Sequence, residues 1–208
     1  NVIQLILECG ELHYVFARFL WPLVKYRRYL SSDLQQTFSD EEMIVVGVNT
    51  ARSLTFKGGR INQNQVARVR EKLCSSGDEV TKAVVTHHPF DLPEGYHARE
   101  LVGRAGMAMT GLADCGADLF LAGHLHVSHT GHTAKRYKIR GHSALVVQAG
   151  TASSTRDRGE ANSFNIIRIR HPDITVERVE WQPSTLVFAA VSKEEFRYSP
   201  DGWIRLSE

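Results

Sequence analysis

The feature that most constrains the fold is an alternation of short apolar segments with segments of helical periodicity. Residues 43–48 form an apolar run of strand length, and the charged segment 62–73 that follows has helical spacing. The same order of strand, helix and strand then recurs at residues 82–86, 98–115 and 118–122. This alternation predicts an α/β fold in which loops at the carboxyl ends of buried strands carry the chemistry.

The pattern changes beyond His126 to β segments that are separated by Gly, Ser, Asp and Pro turns. The predicted strands are residues 137–139, 145–148, 164–170 and 175–181. This tail predicts a second, more antiparallel sheet. Since the 208 residues contain no internal repeat, low-complexity tract or linker, we interpret 1–208 as a single domain.

Charge and cysteine usage bear on the partners and the compartment. The formal net charge of +2 indicates neither a nucleic acid nor an anionic membrane as the main partner. Residues 1–7 are apolar but too short for a transmembrane segment, and no positive residue precedes them, so we interpret them as a buried strand. Cys9, Cys74 and Cys115 are an odd number without C-x-x-C spacing, which favours reduced thiols and a cytoplasmic location.

The string Gly123-His124-Leu125-His126 directly follows an apolar run. Two imidazoles one residue apart would point to opposite faces if the strand continued. A turn permitted by Gly123 would let both converge, and neutral imidazole binds zinc, iron or manganese. The alternative is a loop with two solvent-exposed histidines.

A second histidine motif, Thr86-His87-His88-Pro89, follows the predicted strand of residues 82–86. Pro89 restricts His88 to an extended conformation, so His87 could be held toward the same rim as His124. The alternative is a histidine that bonds to backbone at the strand end. Because both motifs occupy strand ends, together they favour a metal site more strongly than either does alone.

Four strings resemble successive blocks of calcineurin-like metallophosphoesterases of the bacterial phosphodiesterase type. They are VGVNTARS, VVTHHPFDLPEG, LFLAGHLHVSHTG and QAGTASSTRDRGEANSFNII. The resemblance covers most of the chain from about Val15 onward. It implies that His87 and His124 bind one metal ion, with His88 as the alternative to His87, and that His126 binds a second.

The resemblance also implies a fold and an activity. In that family two divalent ions, which would be Mn, Fe or Zn here, lie between two packed β-sheets flanked by helices and are bridged by an aspartate and a hydroxide. A metal-dependent phosphoester hydrolase is implied, most specifically a phosphodiesterase with a small-molecule substrate. Asn49 and Arg52 could reach that substrate, since the arginine fork suits phosphate oxygens; alternatively they cap the following turn.

The carboxylate motifs of the family are not present in order. No D-x-H and no G-N-H occurs in the 208 residues, and Gly77-Asp78 follows a predicted helix, where we expect a turn. In place of G-N-H-D the chain has Cys9-Gly10-Glu11-Leu12-His13, in which Glu11 or His13 could substitute as a ligand or belong to an ordinary loop. We therefore expect a family domain that is incomplete at its amino end, with fewer metals. The alternative is a non-catalytic remnant or binding module.

The remaining candidates are weaker. The loop residues Ser154, Arg156, Arg158 and Asn162 could approach the metals or form a solvated turn, and we expect His129 and His132 to be surface histidines. A structural zinc site has less support because no cysteine lies near the histidine motifs.

Uncovered apolar surface at an incomplete amino end predicts a homo-oligomer.

Overall fold

The computed structural model describes residues 24–29, 31–51, 58–153 and 159–206. Its α-helices are α1 (Val24–Tyr29), α2 (Gln63–Cys74) and α3 (Ala105–Ala113), and two 3-10 helices span Ala98–Glu100 and Thr133–Lys135. The strands are β1 (Thr37–Ser39), β2 (Met43–Val48), β3 (Thr81–Thr86), β4 (Leu119–Ala122), β5 (His129–His132), β6 (Leu145–Gln148), β7 (Ser163–Arg170), β8 (Asp173–Gln182), β9 (Val187–Ser199) and β10 (Gly202–Arg205).

The strands form two sheets. The first has the order β1-β2-β3-β4-β6-β5, in which β2, β3, β4 and β6 run parallel and the outer strands β1 and β5 are antiparallel. The second is an antiparallel meander in the order β10-β9-β8-β7. The expected α/β class with two β-sheets and flanking helices is confirmed, as is the more antiparallel tail.

Alternation along the central strands gives the first sheet two buried faces. Val84, Phe120 and Val146 belong to the larger apolar cluster, which also contains residues of α2 and α3. Their neighbours Ala83 and Leu119 belong to a second cluster. Successive side chains of a strand point to opposite faces, so one face of the sheet packs on the helices and the other on a different layer.

The second cluster joins the two sheets. It combines residues of the first sheet with Ile174, Val176, Phe196 and Trp203 of the second, all of them buried. The described part of the chain therefore has three layers, in the order helices, parallel sheet and antiparallel sheet.

Helix α2 forms where a capping signal meets an apolar stripe. The Asn62 side chain accepts a hydrogen bond from the Gln65 N–H, and the Gln65 side chain accepts one from the Asn62 N–H, which completes a capping box. Val66, Val69 and Leu73 then place apolar side chains on one face of the helix, and all three are buried.

Asp118, directly before β4, connects that strand to β3 and β10. Its carboxylate accepts hydrogen bonds from the Lys82 N–H of β3 and from the Trp203 indole N–H of β10, both at 2.8 Å. Burial raises the pKa of the Asp118 carboxyl, and the two hydrogen bonds oppose that rise. Trp203 also donates its backbone N–H to Ser143. The second sheet is thus held to the first by polar contacts as well as by apolar packing.

Two predicted elements differ from the structure. The segment 98–115 was expected to be one helix, but it consists of the 3-10 helix Ala98–Glu100, a non-helical stretch and α3. The break coincides with Arg104, whose backbone has a left-handed φ of 68°, which an α-helix does not accommodate. Residues 137–139 are not a strand, because their backbone forms local bonds: the Tyr137 N–H donates to the Thr133 carbonyl and the Ile139 N–H to the Tyr137 carbonyl.

The expectation of reduced thiols is wrong for two of the three cysteines. Cys74, at the end of α2, is disulfide-bonded to Cys115, which follows α3. The packing of α2 on α3 brings the two residues together across 41 positions of sequence, which spacing alone does not reveal. The cytoplasmic location loses the support that it drew from reduced cysteines.

Some predictions fall on residues outside the described ranges. These include the strand at residues 1–7, the Cys9–His13 segment, Arg52, and the loop residues Ser154, Arg156 and Arg158. Within the described ranges, the helices are all too short or too polar to span a bilayer. The turn expected at Gly77-Asp78 is present, directly after α2.

Gly202 of β10 lies in close contact with the main chain of Ser143, which precedes β6 of the first sheet. Its φ is +103°, and an added Cβ would lie 2.5 Å from the Ser143 nitrogen. We expect Gly202→Ala to lower the free energy of unfolding by about 2–4 kcal/mol, because it combines backbone strain with overpacking against main chain. Urea denaturation measures this. Gly77→Ala is the control, since an added Cβ there meets nothing within 4 Å; equal effects of the two substitutions would contradict the explanation.

Candidate metal centre at the carboxyl ends of strands β3 and β4

The topology brings the two histidine motifs to one edge of the first sheet. β3 and β4 are adjacent and parallel, with Val85 opposite Leu121. Both strands therefore end at the same edge. The Gly123 N–H donates to the His87 carbonyl at 3.2 Å, which fixes one loop against the other. The motifs meet as the sequence predicted.

The backbone turns at the histidines themselves. His124 has a φ of 74° and His126 a φ of 59°, both in the left-handed region. Gly123, which was expected to provide the turn, is not among the glycines with positive φ. Left-handed conformations are uncommon for residues other than glycine, and such strain is concentrated at functional sites. The alternation that would separate the two imidazoles is thereby interrupted.

Three imidazoles form a compact cluster. His87, His88 and His124 each offer one nitrogen, and these atoms all lie within 4.8 Å of one another. His87 Nε2 and His124 Nδ1 lie 3.2 Å apart. Tetrahedral zinc with bonds of about 2.0–2.1 Å to nitrogen places two ligand atoms about 3.3 Å apart. The His87–His124 spacing fits a shared divalent ion.

His88 is held from two sides by residues that the motif search did not identify. It is buried, with 7% of its surface exposed, and its Nδ1 lies 2.9 Å from the Thr50 hydroxyl, just beyond the end of β2. Gly59 packs so closely that a Cβ at that position would overlap the His88 ring. A third strand end and a glycine thus position the second histidine of the T-H-H-P motif.

Two of the three imidazoles, those of His87 and His88, are held in the neutral form. Burial, followed by the charges of His124 and His126, lowers the pKa of His87 to about 4. Burial, followed by the charges of His124 and His87, lowers the pKa of His88 to about 3. At pH 7 both rings are unprotonated, which is the form that binds a metal.

Glu100 supplies a carboxylate that the sequence analysis did not identify. Its Oε2 lies 3.5 Å from His124 Nε2, and both side chains are partly buried. Glu100 and His124 line a cavity of about 360 Å³ together with Gly95, Tyr96, His97 and Leu125. The His124 side of the cluster therefore has a negative side chain and open space beside it, which suits a cation with an additional ligand.

His126 lies near the cluster without being one of its three members. Its Nδ1 is hydrogen-bonded to the Thr151 hydroxyl, and it is close enough for its charge to lower the pKa of His87. Among the described residues, His87, His88 and His124 are the only group of three such side chains placed to hold an ion. Assignment of His126 to a second metal stays a prediction.

The other predicted residues have different surroundings. The Asn49 side-chain oxygen accepts from the Ala51 N–H, which is the turn-capping alternative. His129 and His132 are not surface residues as expected, but half-buried members of β5, and the His132 ring packs on Phe196 with centroids 5.6 Å apart. Asn162 precedes β7, where its carbonyl accepts from the Trp181 N–H.

Comparison with known proteins gives fold-level likeness only. No family model matches the chain, and no curated protein matches it. Among solved structures, 29 chains match. A candidate 5′-nucleotidase from Staphylococcus aureus in complex with alpha-ketoglutarate is 16% identical over 80% of this chain and 29% of its own, with a TM-score of 0.36.

Two further neighbours differ in how much of them is matched. GAP50, the anchor in the inner membrane complex of Plasmodium, is 14% identical over 76% of this chain and 53% of its own, with a TM-score of 0.45. Vps29 from Entamoeba histolytica complexed with Zn²⁺ is 13% identical over 72% of this chain and 98% of its own, with a TM-score of 0.30. The chain spans about half of GAP50 and less than a third of the nucleotidase. Because all three TM-scores lie below 0.5, the function is inferred from this chain's own residues.

The contact between Gly59 and His88 generates a test. We expect Gly59→Ala to displace the His88 ring and weaken Zn²⁺ binding by about 10–100-fold, the usual effect of losing support behind a ligand. Competition with a chromogenic chelator measures this affinity. Gly106→Ala is the control, since an added Cβ there meets nothing within 4 Å. Unchanged zinc affinity in Gly59→Ala would show that His88 is not positioned by this contact.

Proposed function

We propose that this chain is the histidine-bearing part of a metal-dependent phosphoester hydrolase of the phosphodiesterase type. The observation that carries the proposal is the convergence of imidazoles at the carboxyl ends of adjacent parallel strands, with His87 Nε2 and His124 Nδ1 3.2 Å apart. His87, His88 and His124 are the proposed ligands of one divalent ion, and His126 the proposed ligand of a second.

The donor set supports a borderline metal. Three imidazole nitrogens with a nearby carboxylate suit zinc, iron or manganese better than calcium or magnesium, which prefer oxygen ligands. A bound ion would polarise a phosphoryl oxygen and lower the pKa of water. The chain's own residues orient the site: Thr50 and Gly59 fix His88, and Glu100 adds negative charge on the side of the 360 Å³ cavity.

The phosphoester class comes from the resemblance of the T-H-H-P and G-H-L-H motifs to calcineurin-like enzymes, together with the placement of both motifs at strand ends. A small-molecule phosphoester is the proposed substrate. The proposed number of metal ions is one or two. The three-imidazole cluster among the described residues accounts for one ion, and His126 is the proposed ligand of the second. A homo-oligomer stays a prediction.

A non-catalytic metal-binding module is the second candidate. It is favoured by a specific observation, namely that neither D-x-H nor G-N-H occurs in these 208 residues, so aspartate ligands from those motifs are not available within them. In such a module the histidine cluster would bind an ion without turnover. Both candidates bind a metal ion, but only the hydrolase cleaves a phosphoester.

Metal binding and hydrolysis of bis(4-nitrophenyl) phosphate separate these candidates. We expect the purified protein to bind zinc or manganese, and His124→Ala to weaken that binding more than about 100-fold, beyond the effect of losing only a supporting contact. His142→Ala, which removes a histidine outside the cluster, is the control. Binding with turnover supports the hydrolase, binding without turnover supports the module, and metal affinity unchanged by His124→Ala contradicts both.

Glu100 provides a second test of the site. Glu100→Gln keeps the shape of the side chain but removes its charge, so we expect metal affinity to fall by about tenfold with little change in thermal stability. Glu94→Gln is a matched control, because Glu94 lies in the same connection between β3 and α3 and is exposed. If both variants bind zinc as the wild type does, Glu100 does not contribute to the metal centre.

A further inference from the structure

We propose that an arginine-lined cavity beside the histidine cluster binds a second anionic group of the substrate. This group is a phosphate or pyrophosphate that is distant from the ester that is cleaved. This inference rests on the proposed hydrolase function and specifies its substrate class. The cavity has a volume of about 700 Å³ and is lined by Arg60, Arg99, Arg104 and Arg136, and none of the lining residues in the described part of the chain is acidic.

The fold brings the four arginines together from separate segments. Arg60 and Gly103 form an isolated parallel β-bridge, which pairs the backbone on either side of the cavity. Arg104 follows immediately with a left-handed backbone, and Arg99 belongs to the 3-10 helix Ala98–Glu100. Arg136 comes from the turn before β6. Such a convergence is not an effect of local sequence, because the four positions extend over almost eighty residues.

Among the described residues, two of these four arginines have a carboxylate partner. Arg136 donates from Nε to the buried Asp91 at 2.6 Å, and Arg99 lies 3.4 Å from Glu100. Within the described ranges, the Arg60 and Arg104 side chains form no ion pair. Guanidinium groups that converge without compensating charge repel one another, and their planar forks match phosphate oxygens. An anion with several oxygens would relieve the repulsion.

The cavity adjoins the histidine cluster, and two segments of the chain line both. Gly59 lines the cavity and also packs against the ring of His88. The 3-10 helix forms the other wall, with Arg99 toward the arginine cavity and Glu100 toward His124. A single substrate can therefore place one phosphoester at the histidines and a second anionic group among the arginines. Cavities of about 300–1,000 Å³ are typical for small molecules.

Direct binding of inorganic pyrophosphate tests the anion site without requiring metal or turnover. The protein is titrated calorimetrically in the presence of a metal chelator. We expect Arg60→Ala and Arg104→Ala each to weaken binding by about tenfold, the effect of losing one charge-assisted contact, and the double variant by about a hundredfold. Arg170→Ala is the matched control, since Arg170 is an exposed arginine of the second sheet. No binding by the wild type, or equal binding by the double variant and this control, overturns the inference.

A kinetic experiment tests whether the anion belongs to the substrate. The 4-nitrophenyl ester of thymidine 5′-phosphate is compared with the same ester bearing an additional 3′-phosphate. We expect the 3′-phosphate to lower KM about tenfold in the wild type and to have no effect in the Arg60→Ala/Arg104→Ala variant. Identical KM values for the two esters in the wild type overturn the substrate assignment while leaving the hydrolase intact. Failure of both esters to be hydrolysed contradicts the proposed function, whereas the pyrophosphate titration still reports on the cavity.

Discussion

The parallel sheet at the centre of this protein has two apolar faces, and the rest of the fold depends on covering both. Val84 and Phe120 pack toward the helices, while Ala83 and Leu119 pack toward the antiparallel sheet. Because strand alternation fixes which side chain faces which layer, a shift of one residue in register would exchange the two sets. The faces of the sheet are therefore committed to packing, and the carboxyl edge of its strands is left for polar side chains.

That edge determines the chemistry of the histidines. Parallel neighbours end together, so the loops after β2, β3 and β4 bring Thr50, His87 and His124 into one region. Partial burial there lowers the pKa of His87 and of His88, and the backbone at His124, a member of the same cluster, is left-handed. In the described part of the chain, Glu100 is the carboxylate that lies beside the histidine cluster. The cluster offers lone pairs to a cation and leaves most of the charge of that cation uncompensated.

How much of this could be predicted from sequence depends on where the stabilising contacts lie. Met43–Val48 and Leu145–Gln148 were predicted with the bounds observed, because each is an apolar run buried within the sheet. β9 was missed because it is rich in exposed and charged residues and is defined by pairing with β8. The same holds at the site. His87 and His124 lie in recognisable motifs, whereas Thr50 contacts His88 across 38 residues and has no local signature.

The charges around the site argue for an anionic ligand on physical grounds. A divalent ion at the histidine cluster would add two positive charges beside Arg60, Arg99, Arg104 and Arg136. Two carboxylates of the described residues lie nearby: Glu100 is shared between Arg99 and His124, and Asp91 is already hydrogen-bonded to Arg136. Like charges in one cavity repel each other unless a counter-ion lies between them. Water screens this repulsion less in a partly enclosed cavity than in open solvent. A ligand with negative groups at both ends would complement both an ion bound at the histidine cluster and the arginines of the cavity.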